Sequence, residues 1–305
     1  MKLFTTLLGM TILLYSGQSV ANNGNGNGNG NGNGNGNGNG AGNHAACNVN
    51  EVQVTSLRVQ DGSAPIVLPT PVDAFDCLGA YTGNNSSFSQ PTTNLGYDED
   101  GWLNKEDYNN WWSGHGAFVE ESDLLDLDGD GDVDDPGWIR MGKHEGNGFE
   151  PDTAGTGSDS YTFVNDLFSF DDCKDINGVA SSCFGGDAVS GTWSYVPPQT
   201  NPQALLDLLG GSFFDQATFV FKSASAFVMY NFSVEGLGLD PVLPGEFNYA
   251  FTGTWDISNV LGGHGLSNFE LWARDPVVAQ VTEPSTLALM LLSGGFIYLR
   301  RRKRK

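Results

Sequence analysis

The sequence predicts an all-β protein: one antiparallel β-sandwich of jelly-roll type, preceded by a disordered linker and followed by a short apolar helix. Three observations lead there. The body of the chain, from about Ala46 to about Gln280, carries its apolar residues mainly with a period of two. Its apolar runs are short, aromatic and β-branched, and Gly, Pro, Asn and Asp separate them. No β-α-β rhythm is present, because only one segment has helical spacing.

The elements follow in order. Met1 to Ala21, "MKLFTTLLGMTILLYSGQSVA", has a basic start, an apolar run and the small-residue finish Ser19-Val20-Ala21. That reads as a secretory signal peptide. Residues 22–45 are dominated by an Asn-Gly repeat. Half of that repeat is glycine and none of it is apolar, so it has no burial to offset its ordering entropy and reads as a flexible linker. "EVQVTSLRV" from Glu51 alternates as a strand. So do "SGTWSYV" (Ser190–Val196), "ATFVFKSASAFVMYNF" (Ala217–Phe232), "FNYAFTGTWDI" (Phe247–Ile257) and "SNFELWA" (Ser267–Ala273). Gly-Thr-Trp occurs at Gly191–Trp193 and again at Gly253–Trp255, and each Trp is expected to point into the sandwich. "NPQALLDLLGG" (Asn201–Gly211) is the helical segment, with Pro202 at its start and glycine at its end.

The charge is −22, and its distribution is informative. Of the 14 basic residues, seven lie at the ends: Lys2, Arg300, Arg301, Arg302, Lys303, Arg304 and Lys305. The body keeps the other seven against nearly all of the 36 acidic residues. Such a body repels nucleic acid and anionic membrane and attracts cations.

Four cysteines, Cys47, Cys77, Cys173 and Cys183, suit two disulfides in a secreted chain. Three pairings are open, and the sequence neighbours Cys47–Cys77 and Cys173–Cys183 are the favoured ones. No Cys-x-x-Cys or Cys/His cluster argues for zinc.

Residues 281–305 combine Glu283-Pro284-Ser285-Thr286, an apolar run to Leu299 and a basic end. The apolar run is shorter than the roughly 20 residues of a spanning helix, and the basic end would stay cytoplasmic. This three-part arrangement, with a signal peptide at the other end, resembles the PEP-CTERM sorting signal. Thr282 stands where that family's motif usually has its first proline. "DCLGAYTGNNSS" from Asp76, "PGWIRMGK" from Pro136, and the order "ATFVFKSASAFVMYNF", "GTW", "GLSNFELWA" resemble segments of the family's bodies, with Asn268 where histidine is frequent. The resemblance implies processing of the tail by an exosortase after transient membrane anchoring. It also implies a place in the Gram-negative envelope or matrix, in association with exopolysaccharide or biofilm.

The stretch "DLDGDGDVDD" from Asp126 holds six aspartates. Written as a calcium loop, Asp126, Asp128 and Asp130 occupy ligand positions 1, 3 and 5. Gly131 takes the sharp turn, Asp132 offers a carbonyl, Val133 is apolar and Asp134 falls at position 9. Position 12 is Gly137 rather than the bidentate Glu of an EF-hand. Asp135, Glu145 or an acid before the loop are the candidates to complete the shell. A weak, structural Ca²⁺ site of ~10⁻⁴–10⁻³ M is expected, as in extracellular modules; the alternative is a solvated acidic loop. "YDEDGWLNKED" (Tyr97–Asp107) is a poorer echo.

The histidines His44, His115, His144 and His264 lie in no metal or nucleophile motif, and no catalytic signature is present. Trp111 and Trp112, beside Asn and Gly, are candidates to stack on sugars; burial is the alternative. The expectation is a non-catalytic matrix protein, with a carbohydrate-binding module or a secreted polysaccharide hydrolase as the other readings.

Overall fold

The computed structural model describes residues 46–83, 88–112, 114–126, 131, 135, 137–146, 148–209, 214–223, 226–242 and 245–275. The fold is all-β and every strand pair is antiparallel. The chain enters through a 3-10 turn at Val49–Glu51, closed by a reciprocal cap: Asn48 accepts from the turn, and Glu51 accepts from the Asn48 backbone N–H.

The strands are β1 (Val52–Val59), β2 (Ile66–Asp73), β3 (Asp76–Thr82), β4 (Ile139–Glu145), β5 (Gly148–Pro151), β6 (Thr153–Thr156), β7 (Asp159–Thr162), β8 (Phe168–Lys174), β9 (Ser190–Tyr195), β10 (Gln216–Ser223), β11 (Ala226–Ser233), β12 (Tyr249–Asp256) and β13 (Leu266–Arg274). One helix, α1 (Gln203–Leu208), falls inside the segment expected to be helical. One sheet has five strands in the order β2-β1-β12-β9-β8; the other has six, β3-β11-β10-β13-β4-β5. β6 and β7 form a separate hairpin. The connections β1–β2, β4–β5, β8–β9 and β10–β11 stay within one sheet, while β2–β3, β9–β10, β11–β12 and β12–β13 pass between sheets.

The two sheets share one core, giving a sandwich-like body. Val52, Val54, Phe168, Phe170, Trp193 and Trp255 of the five-stranded sheet meet Met141, Phe219, Phe221, Val228, Phe269 and Leu271 of the six-stranded one. Rings interlock across the gap: Phe168 on Phe219 at 5.1 Å, Trp193 on Phe219 at 5.0 Å and Phe221 on Trp255 at 5.6 Å. Trp193 and Trp255 both point into this core, as the Gly-Thr-Trp tripeptides predict. Gly253, between two strands, has no room for a β-carbon, because the Trp193 ring and the Gln53 carbonyl fill that place.

The middle strands of the six-stranded sheet are buried on both faces. β10 and β11 therefore read as nearly unbroken apolar runs rather than a clean alternation. What covers the outer face is the long excursion between β3 and β4. It forms a second core of Phe88, Trp102, Leu103, Trp112, Ala117, Val119, Leu124 and Trp138 against Val220, Phe227, Met229 and Trp272.

Candidate functional site: an acidic loop closing an aromatic layer

Trp102 sits at the centre of the covering layer with no exposed surface. Phe88 stacks on it at 4.6 Å, and Phe227 and Trp272 of the sheet meet it edge-on at 5.3 and 6.2 Å. Offset and edge geometries of this kind add to the burial itself. Trp138 is equally enclosed and donates its indole N–H to the Ala117 carbonyl at 2.6 Å.

Charged side chains lie beneath the layer. Arg140 donates to Asp152 at 2.7 Å and to Glu270 at 3.4 Å. Glu270 also accepts from the indoles of Trp272 (3.1 Å) and Trp102 (3.4 Å). Arg274 is buried, pairs with Asp123 at 2.9 Å, and lies over the Trp138 ring at 5.5 Å. Lys222 lies over Phe88 at 5.2 Å. Burial pushes its ammonium down to about 8, against the pull of Glu270. Burial raises the Asp152 carboxyl, against the lowering effect of Arg140. Buried charges persist only when paired, so these pairs fix which residues of the excursion meet which strand. They escaped the sequence reading, although Glu270 and Arg274 alternate with aromatics in β13, a signal that the outer face is covered.

The excursion ends in the aspartate stretch. Leu125 and Asp135 form an antiparallel bridge; the Leu125 N–H donates to the Asp135 carbonyl, and Asp135 N–H returns a bond of 2.9 Å. The bridge holds the residues on either side of segment 126–134 together. Gly131 has φ +105° with open space around it, so glycine is needed there for backbone conformation rather than for fit. Asp126 is exposed at the loop's start. Asp128, Asp130, Asp132 and Asp134 lie outside the described residues, and among the described residues no group of three or more His, Cys, Asp or Glu is placed to hold a metal.

The shell-completing candidates separate clearly. Asp135 is fully buried and accepts from the Asp98 backbone N–H at 3.2 Å, which joins the two acidic segments. Glu145 ends β4, where it pairs with Lys143. Asp123 is held by Arg274. Position 12 has a physical reason to lack a side chain. A β-carbon on Gly137 would sit 2.5 Å from Asn104 Oδ1, which accepts the Trp138 backbone N–H. The echo at Tyr97–Asp107 is also explained. Asp100 accepts from the backbone N–H groups of Thr92, Thr93 and Asn94 and from the Thr93 hydroxyl. Burial pushes its carboxyl up, but these four bonds outweigh it and hold it below the usual range. Asp100 is a structural acceptor.

Trp111 and Trp112, the candidate sugar contacts, belong to the layer. Trp112 is 9 % exposed and donates to the Lys105 carbonyl at 3.0 Å. Trp111 is half-buried, stacked on Tyr81 at 5.4 Å and edge-on to Phe227 at 4.9 Å. Trp111 keeps part of its surface exposed, and Trp112 is almost wholly enclosed. His144 stacks on Phe184 at 4.2 Å, and burial lowers its imidazole. His115 lies 3.2 Å from Glu106. His264 is exposed, and His44 lies outside the described residues.

Both favoured disulfides are present. Cys47–Cys77 ties the entry of the body to β3, and Cys173–Cys183 spans the turn after β8. They fit an extracellular or otherwise oxidising environment. The signal peptide, the linker and the sorting motif at Glu283 and Pro284 lie outside the described residues. No family model matches the chain, and no curated protein or solved structure matches it.

Proposed function

We propose that this chain is an exported, exosortase-sorted, non-catalytic protein of the cell envelope or extracellular matrix, whose β-sandwich is rigidified by a structural calcium loop. The observation that carries the reading is the Leu125–Asp135 bridge, which holds the residues on either side of segment 126–134 together at the margin of the aromatic layer. Five alternating aspartates, Asp126 through Asp134, in a loop with fixed ends repel one another, and a divalent cation offsets that repulsion. The same loop is joined to the Asp98 segment through Asp135. A bound ion would therefore tighten the cover over β10, β11 and β13.

The compartment is argued from the terminal segments, their resemblance to PEP-CTERM signals, and the two disulfides. A strongly acidic, disulfide-stapled body on an Asn-Gly linker suits a matrix component that shares divalent cations with acidic exopolysaccharide. The test is co-sedimentation of the mature chain with the producing cell's exopolysaccharide, with calcium and with chelator. Saturable, calcium-dependent binding supports matrix association. Absence of binding in both conditions removes the exopolysaccharide from the proposal, and turnover of the polysaccharide would replace it with a hydrolase.

A further inference from the structure

At one end of the sandwich, where β10 begins and β9, β11 and β13 finish, the two sheets part around a cavity of about 70 Å³. Aromatic rings make up much of its wall. Trp193, Tyr195 and Phe251 come from the five-stranded sheet, Phe219 and Phe232 from the six-stranded one, and Phe214 stands just before β10. The rings support each other: Trp193 and Phe232 each lie 5.0 Å from Phe219, and Tyr195 stacks with Phe251 at 6.4 Å.

Gln216, Ser233 and one carboxyl, Asp215, interrupt this mostly apolar lining. Asp215 precedes β10 and lines the cavity together with Gln216, Ala217 and Phe219; the Gln216 Oε1 accepts from Arg274. The backbone of Asp215 is fixed by Arg274 and Val234. Its Oδ1 is buried and has no hydrogen-bond partner among the described residues. A buried polar atom of this kind costs free energy until something pairs with it.

We propose that this cavity binds a small methylated ammonium ion, with its N–H on Asp215 Oδ1 and its methyl groups against the aromatic rings. Ring faces carry negative potential and attract cations, most strongly where water is excluded. The carboxylate supplies the countercharge and the directional bond. A hydrated Ca²⁺ or Mg²⁺ does not suit the lining, because such ions need six or more oxygen ligands. An anion meets the wrong charge. The acidic surface concentrates cations around the mouth.

Burial pushes the Asp215 carboxyl up to about 7; Asp275 and Asp123 add to the rise and Arg274 opposes it. Tyr195 is the titratable group on the opposite wall. Binding of a cation therefore strengthens as pH rises from 5 to 8.

The experiment is calorimetric titration of the mature chain with trimethylammonium, and with tert-butanol as a neutral molecule of similar size, at pH 5 and pH 8. The expected result is saturable trimethylammonium binding at pH 8, with tert-butanol at least about tenfold weaker. Asp215→Asn should lose about tenfold in trimethylammonium affinity, as should the unaltered chain at pH 5. Equal binding of the two molecules, no binding at pH 8, or an affinity unchanged between pH 5 and 8 overturns the proposal. The pH comparison needs no variant, so a folding defect in Asp215→Asn leaves the test intact.

Discussion

Replacing Trp102 by Ala tests whether the excursion is a cover held to the sheet by its aromatic centre. Trp102 is fully buried, with Phe88, Phe227 and Trp272 packed on its ring. Burying a ring of this size removes ~150–250 Å² from water. At ~25 cal/mol per Å² that is about 4–6 kcal/mol, and measured Trp→Ala losses run about 3–5 kcal/mol. The indole bond to Glu270 is long, at 3.4 Å, and Glu270 keeps its partners Trp272 and Arg140, so it adds little. The expected loss is about 4 kcal/mol, a large part of the ~5–15 kcal/mol that holds a domain. Guanidinium denaturation followed by far-UV circular dichroism measures it. Hydrogen exchange locates it. The Ala117 and Asn104 amides, bonded to Leu103 and Gly101, should lose roughly a thousandfold in protection, and the ladder between β9 and β12 much less. A loss below about 1 kcal/mol, or an equal loss of protection in both regions, refutes the cover.

Other consequences are as direct. Reduction of Cys47–Cys77 and Cys173–Cys183, separated by 30 and 10 residues, should cost about 4 and 3 kcal/mol in the chain-entropy model, read as single-pair Cys→Ala variants in denaturant melts. Gly137→Ala drives a β-carbon into Asn104 and should destabilise by about 1–3 kcal/mol, which a thermal melt would show; Gly137→Glu should likewise fail to tighten calcium binding. Asp215 binds its proton more tightly folded than unfolded, so its contribution to stability falls as pH rises from its ordinary 3.8 through about 7. Asp215→Asn should therefore stabilise more at pH 8 than at pH 5, by about 1–2 kcal/mol after discounting for partial exposure.

The strands were legible because their residues obey short-range rules. "SGTWSYV" became β9, "FNYAFTGTWDI" became β12, and "ATFVFKSASAFVMYNF" became the β10–β11 hairpin. α1 fell where the only helical spacing lay. The favoured cysteine pairs formed because sequence neighbours close the shortest loops. The covering layer was less legible. In the excursion between β3 and β4 the tryptophans Trp102, Trp111, Trp112 and Trp138 carry no periodicity that names their partners, and the second core becomes visible only once Val220, Phe227, Met229 and Trp272 are placed on the outer face. Glu270 and Arg274 hint locally at a covered face, but their partners could not be read, since the Arg140–Glu270 and Asp123–Arg274 pairs join residues more than a hundred positions apart. The reason for Gly137 at loop position 12 was likewise hidden until Asn104 was seen against it.

The central claim is that calcium at residues 126–134 clips the aromatic layer to the sandwich. The direct measurement is the melting temperature of the mature chain in ~10 mM calcium and in chelator, for the unaltered protein and for Asp128→Asn with Asp130→Asn. An ion held at ~10⁻⁴ M and present at about a hundred times that concentration stabilises by ~2.7 kcal/mol, or about 5–10 °C for a body of this size. The account predicts a rise of that order, reversed by chelator and absent in the double variant. An unchanged melting temperature, or a rise that persists in the double variant, contradicts it.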